Sequence, residues 1–286
     1  MSNIFLSLAG SASRLLPLPV KLAIYRSPRL ARIVRRGLNS LAPPGLISAD
    51  VVSGNLAGAR LWIDFKTEKD YWLGIYEPGL QSAIARLVEP GMVAYDVGAS
   101  VGYITLMLAR AVGEDGRVYA FEALPANLER LRANLENNPE GSWVTVVPAA
   151  VTDASGITHF LIGPSSATGK AVGSIGRREL EYPSSIQVDC VSLDEFITTS
   201  RNPAPQVLKL DIEGGEVLAL PGMRRLLASA KPILLMELHG PEAAQVAWKE
   251  LTAVKYRLCR MDADFSEAPS LEALEWKEYL IGFPPS

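Results

Sequence analysis

From Met92 onward the chain repeats one unit, a short apolar run followed by a helical pattern, and this alternation restricts the fold more than any other feature. The runs are Met92–Val97, Arg117–Phe121, Trp143–Val147, Val207–Ile212, Ile233–Leu238 and Tyr256–Arg260. Helical patterns begin near Val101 and cover Pro125–Asn137, Val217–Ala228 and Glu242–Leu251. Strands spaced in this way need crossover helices that pack on the sheet faces. The expectation is an α/β fold, doubly wound on a mostly parallel sheet. Ahead of it, Val51–Phe65 has the glycine-marked turns and short alternation of a small hairpin. Thr152–Phe196 interrupts the pattern with a stretch rich in Ser and Gly, Ser165–Gly176. A connection of that length reads as a lid, a binding loop or a disordered segment.

With 48% hydrophobic and 21% charged residues, the chain has the apolar content of a globular protein. Two cysteines, Cys190 and Cys259, and two histidines, His159 and His239, stand in no zinc-binding spacing. A reducing, cytoplasmic compartment fits. The net charge of −3 gives no chain-wide reason to expect nucleic acid. The first 49 residues nevertheless hold Arg14, Lys21, Arg26, Arg29, Arg32, Arg35 and Arg36 without one acid, so they carry +7 and the remainder −10. Residues 1–45 read as a basic helical extension and 46–286 as the globular domain. In residues 20–41 Leu22, Ile24, Leu30, Ile33, Val34 and Leu38 lie among the basic side chains, with Pro28 splitting two short helices. That composition suits either a helical cover packed on the domain or an interfacial helix in peripheral contact with an anionic membrane. Pro17 and Pro19 cut the apolar stretch that a signal peptide would need, and no run of roughly 18 uncharged apolar residues occurs.

In an open parallel sheet, ligands bind beyond the carboxyl ends of the strands. The first strand ends in Asp96-Val-Gly98-Ala99-Ser100-Val-Gly102-Tyr103. Gly98 and Gly102 permit a tight turn and close approach to a ligand, and the helix start behind them offers free N–H groups. Ser100 replaces the middle glycine of a dinucleotide fingerprint, which disfavours pyrophosphate and weakens an NAD-linked reading. Asp96 suits a ligand's positive group, and Glu122, ending the second strand, suits ribose hydroxyls. A nucleoside with an amino-acid end and no phosphate satisfies all three features. S-adenosylmethionine is such a molecule.

These segments resemble the FkbM-type methyltransferases, a class I group that uses S-adenosylmethionine. The resemblance runs from Lys69 to Tyr256 on KDYWLGIYEPG (69–79), the Asp96–Thr105 loop, FEALPANLERLRAN (121–134), PAAVTD (148–153), SLDEF (192–196), LKLDIEGGE (208–216) and LLMELHG (234–240). It implies a Rossmann-like, seven-stranded sheet with an antiparallel last strand. It also implies methyl transfer to a hydroxyl of a sugar, lipid or natural product, so that the partner is a small-molecule, glycan or lipid acceptor. FEAL stands here where the family commonly reads FEP, and Ser100 where Asn is usual.

Alternation places Lys209 and Asp211 on one face of the fourth strand, with Glu213 and Glu216 just past it. Asp211 matches the family's strand-four acid and is the first candidate for orienting acceptor or cofactor, joined by Glu213. Close acids need a cation, a proton or Lys209 to offset them. Glu237 and His239 share a face of the fifth strand, and imidazole's titration near neutrality makes His239 the candidate base. The competing arrangement is magnesium held by Asp211 with Glu213, Glu237 or His239. His159 reads as structural. Tyr76 and Glu77 are candidate cofactor contacts from an aromatic segment, Tyr71–Tyr76, that either folds over the ligand or packs inward. Ala150 would lie near the adenine. A reading of another class, a noncatalytic nucleoside-binding module held by its basic extension, uses the same loop residues.

Overall fold

A computed structural model describes residues 44–285, apart from 164–168, 177, 178 and 276, together with residues 20, 27 and 32. The membrane-helix and helical-cover readings of the basic extension lie outside the described residues. Among the described residues no helix is long and apolar enough to cross a membrane.

The hairpin forms from β1 (Leu46–Asp50) and β2 (Arg60–Asp64), paired antiparallel. It begins ahead of the expected Val51, because Val51 and Val52 turn inward and are buried. The alternation beyond it builds β3 (Val93–Val97), β4 (Arg117–Phe121), β5 (Val144–Val147), β10 (Val207–Leu210), β11 (Ile233–Leu238), β12 (Arg257–Arg260) and β13 (Glu278–Phe283). They form one seven-stranded sheet in the order β12-β13-β11-β10-β3-β4-β5. β13 runs antiparallel to both neighbours, and the pairs from β11 through β10, β3 and β4 to β5 are parallel. This is the doubly wound, Rossmann-like sheet that the alternation and the resemblance predict.

Side chains of successive strand residues point to opposite faces, so each strand feeds two cores. Ala94, Val118, Ala120 and Leu235 meet Leu106, Met107 and Ile84 on one side. Tyr95, Val97, Phe121, Leu208, Leu234 and Met236 meet Leu226, Ala247 and Leu251 on the other. The helices covering these faces include Tyr103–Val112, Pro125–Glu136 and Pro241–Ala253, close to the periodicities above. One expected helix, Val217–Ala228, is divided into Glu216–Ala219, a 3-10 turn at Pro221–Met223, and Arg224–Ser229. Pro221 has no N–H to continue the ladder.

Among the described residues, the interruption at Thr152–Phe196 contains paired strands and is not a simple loop. β6 (Ala150–Val151), β7 (Gly156–Ile162), β8 (Lys170–Ala171) and β9 (Ser184–Val191) form a second sheet in the order β6-β9-β7-β8. Its far end is tied to the central sheet where the Ile175 N–H donates to the Gly214 carbonyl, 3.1 Å.

The chain runs outward from β3 through β4 to β5 and then returns to β10 on the other side of β3. Gly98 sits at that reversal with φ +83°, and a Cβ placed on it would meet the Asp211 carbonyl oxygen at 2.0 Å. Gly91 has a similar φ, +86°, with open space where a Cβ would stand. Gly91→Ala should therefore cost about 1 kcal/mol for the left-handed backbone alone. Gly98→Ala should cost more than twice as much, measured by urea melting; equal costs would show that the loop can move off β10.

Candidate active site

The carboxyl ends of β3, β4, β5, β10 and β11 open into one cavity of about 530 Å³, lined also by the segment 70–80 and by Lys277 and Tyr279 at the start of β13. Most of the candidate residues converge here. Tyr76, Glu77, Gly98, Ala99, Ser100, Tyr103, Glu122, Ala150, Asp211, Glu213 and Glu237 all line it. Gly102 does not; its φ of +90° starts the helix and its backbone lies against Leu131. Asp96 is corrected outright. It is wholly buried, with Oδ2 accepting from Thr105 Oγ1 at 2.6 Å and Oδ1 3.2 Å from Lys209 Nζ. An acid closed in this way does not meet a ligand's ammonium.

At one end the glycine loop is held by backbone bonds, Gly98 N–H and Ala99 N–H to the Phe121 carbonyl and Gly102 N–H to that of Ala99. Glu122 closes the turn: Oε2 accepts from the Ser100 N–H and Oε1 from the Leu124 N–H, each at 2.8 Å. Burial pushes its carboxyl above the ordinary range, and those N–H groups with Asn127 work against the shift. Ala123, Ala149 and Ala150 provide small apolar walls beside it.

The aromatic segment does both things expected of it. Trp72 is buried in the core, while Tyr71 stacks on Tyr103 at 4.6 Å and Tyr76 stands edge-on to Tyr71 at 4.6 Å, all three tyrosines lining the cavity. Asp70, beside this segment, also lines the cavity and carries no motif that would mark it in the sequence. Lys277 and Tyr279 were also missed, since no motif marks them and only the antiparallel return of β13 brings them in.

At the other end the acids gather as expected, with their counter-charges. The Lys209 ammonium lies 3.7 Å from Asp211 Oδ2, and His239 Nε2 lies 3.8 Å from Asp211 Oδ1, 3.9 Å from Glu213 Oε1 and 3.5 Å from Glu237 Oε1. His239 Nδ1 is 3.2 Å from Glu216 Oε1, a fully buried oxygen that also accepts from the Ile212 and Gly214 N–H groups. Burial alone would lower the imidazole, but the hydrogen bond to Glu216 and the charges of Glu216, Asp211 and Glu237 outweigh it and hold His239 up at about 9. An imidazole raised in this way holds its proton more firmly than a free one, which weighs against the expectation of His239 as the base. His159, by contrast, lies exposed on β7.

Asp211, Glu237 and His239 are a set whose ligand atoms lie within 4.8 Å of one another. Its donor chemistry fits a metal poorly: His239 would first have to release a firmly held proton, and Lys277 Nζ already stands 2.7 Å from Glu237 Oε1. Glu77, Ser100, Glu213 and Lys277 line this cavity with φ between +43° and +64°, a left-handed backbone that non-glycine residues adopt only under constraint. Burial first and Asp211 second push the Glu77 carboxyl up to about 7, and the same two causes raise Glu237. One end of the cavity thus pairs a glycine loop with a buried carboxylate and small apolar walls, and the other gathers acids around two cations.

Glu77, Glu237 and His239 all bind protons more tightly in the folded chain than in the unfolded one. The folded state then holds the excess of protons from about pH 4.5, the ordinary Glu value, to about 9, so stability falls as pH rises through that window. The melting temperature should drop between about pH 5 and pH 9, and His239→Gln should remove the part above 6.5; a flat or rising profile would contradict this assignment.

The Methyltransferase FkbM domain model matches residues 96–266. The hexuronic acid methyltransferase AglP of Haloferax volcanii is 28% identical over 167 residues, 57% of this chain and 63% of that protein. A protein-L-isoaspartate O-methyltransferase of Aeropyrum pernix is 40% identical over 75 residues, 26% of this chain and 29% of that one. The chain thus spans less than two thirds of the length of these curated relatives. Among solved structures, the methyltransferase FkbM of Methylobacillus flagellatus has 19% identity and a TM-score of 0.43, covering 72% of this chain and 55% of that one. The fibrillarin of Aeropyrum pernix, solved with S-adenosyl-L-methionine natively bound, has 12% identity and a TM-score of 0.40, covering 71% and 74%. With the domain match spanning more than half its length, the chain belongs to the FkbM methyltransferase family.

Proposed function

We propose that the protein is an S-adenosylmethionine-dependent O-methyltransferase whose acceptor is a hydroxyl, of a sugar in the first instance. The observation that carries this reading is one cavity with Glu122 and the Gly98 loop at one end and Asp211 and Glu213 at the other. The sugar acceptor is drawn from the relative named as a hexuronic acid methyltransferase. Lipid and natural-product hydroxyls have the same chemistry and are the alternatives.

Bound there, S-adenosylmethionine would supply an activated methyl group. Glu122 would take the ribose, Ala123, Ala149 and Ala150 would wall the adenine, and the Gly98–Ser100 backbone would approach the amino-acid end. The tyrosine faces of Tyr71, Tyr76 and Tyr103 suit a sulfonium. Asp211 and Glu213 would orient the acceptor hydroxyl, and catalysis would come mostly from that positioning. On this reading the hydroxyl proton goes to a group less basic than the raised His239 imidazole. Glu77, with its carboxyl at about 7 beside Asp211, has the basicity for it near neutral pH.

Calorimetric titration with S-adenosylmethionine, S-adenosylhomocysteine and NAD should give micromolar binding of the first two and none of the third. Glu122→Ala should weaken S-adenosylhomocysteine at least tenfold, roughly the low end of one hydrogen bond to a charged acceptor. Binding of NAD alone, or of none of the three, would overturn the reading.

A further inference from the structure

Lys209 belongs to β10, a strand buried on both sides, and only 4% of its side chain is exposed. An ammonium in that position is costly unless its partners are close and well arranged. It has four. Register places Lys209 opposite Asp96 on β3, and its Nζ lies 3.2 Å from Asp96 Oδ1. It donates to the Gly98 carbonyl at 2.8 Å and the Val97 carbonyl at 3.4 Å, and stands 3.7 Å from Asp211 Oδ2. One charge therefore touches the first strand's acid, the glycine loop and the acid at the cavity.

These contacts differ in how replaceable they are. The loop is also held by Gly98 N–H, Ala99 N–H and Gly102 N–H on backbone carbonyls and by Ser100 N–H on Glu122, none of which involves Lys209. The Asp211 carboxylate instead stands between two cations, Lys209 near Oδ2 and His239 near Oδ1. Removing the first leaves the carboxylate free to turn toward the second. We propose that Lys209 is a positioning residue whose buried ammonium, anchored on Asp96 and the Gly98 carbonyl, fixes the Asp211 carboxylate toward the space above the cofactor loop. Asp96 thereby acts on the site without touching a ligand, as the anchor of that ammonium. The inference rests on reading the cavity as an S-adenosyl site, and it concerns residues that the reading itself leaves without a role.

The test needs no acceptor. S-adenosylhomocysteine is neutral at sulfur, whereas sinefungin carries a primary ammonium in place of the methylsulfonium, so the ratio of their affinities reports a carboxylate facing that point. Calorimetry would be run on the full chain and on three variants, with melting temperatures recorded. In Asp96→Asn/Lys209→Met one charge of each sign is removed and the local balance is kept. This variant should bind S-adenosylhomocysteine within about threefold of the parent and lose about tenfold of the preference for sinefungin. Asp211→Asn should lose the preference to the same degree. Lys209→Met alone keeps the test open if the double variant fails to fold, and should show the same loss.

A preference retained in the Lys209 variants but lost in Asp211→Asn would overturn the proposal and leave Lys209 a structural partner of Asp96. A preference that grows in Lys209→Met would overturn it too, because a lysine acting through charge alone repels sinefungin. Equal loss of both ligands would make Lys209 a loop fastener and nothing more. If the parent chain binds neither ligand, the cofactor reading itself fails, which the variants' behaviour cannot mimic.

Discussion

The reversal of strand order at β3 is the constraint from which the site follows. Helices leaving β3 and β10 depart to different faces, so no connection covers the carboxyl ends between them. The floor of the cavity is supplied from that gap: the Gly98 loop from β3, Glu122 from β4, Asp211 from β10 and Glu237 from β11. The close packing of Gly98 against the Asp211 carbonyl leaves no room for a side chain, so the two halves of the fold meet backbone to backbone. A parallel sheet places these ends together with no turn motif of its own.

Charge is organised around the same gap. Six acids, Glu77, Asp96, Asp211, Glu213, Glu216 and Glu237, stand within a few side chains of three cationic groups, Lys209, His239 and Lys277. A proton on His239 does what a bound cation would otherwise do, drawing acids from β10, β11 and the turn after β10 to one center. The cluster's tendency to hold protons is the direct consequence of burying so many carboxylates around so few positive charges.

Much of this was legible in the chain. The strands β3, β4, β5, β10, β11 and β12 and the paired acids of LKLDIEGGE and MELHG could be placed because period-two alternation and crossover geometry are local rules with few solutions. What escaped depended on contacts between distant segments. Asp96 reads as a ligand-binding acid until Lys209 is seen beside it, and nothing in either segment states that β3 and β10 are neighbours in that register. His239 reads as a base until its four carboxylates are counted, three from the turn and helix after β10 and one from β11. The second sheet escaped for another reason. Its strands are half-exposed, β7 and β9 pair across more than twenty residues, and the Ser- and Gly-rich stretch between them has the composition of a loop.

That second sheet is inserted between β5 and β10 and supplies Phe160, Gly169, Ala171 and Ser174 to one wall of the cavity. It leaves the central sheet beside β5 and rejoins it at β10, so its hairpin can lengthen, shorten or change its lining while the central register stays as it is. Longer excursions of this kind cost little in chain entropy, since closure grows only with the logarithm of length. The architecture therefore separates two evolutionary clocks. The floor of the cavity is locked by packing and buried charge, whereas the wall is free to drift and to sample new guests.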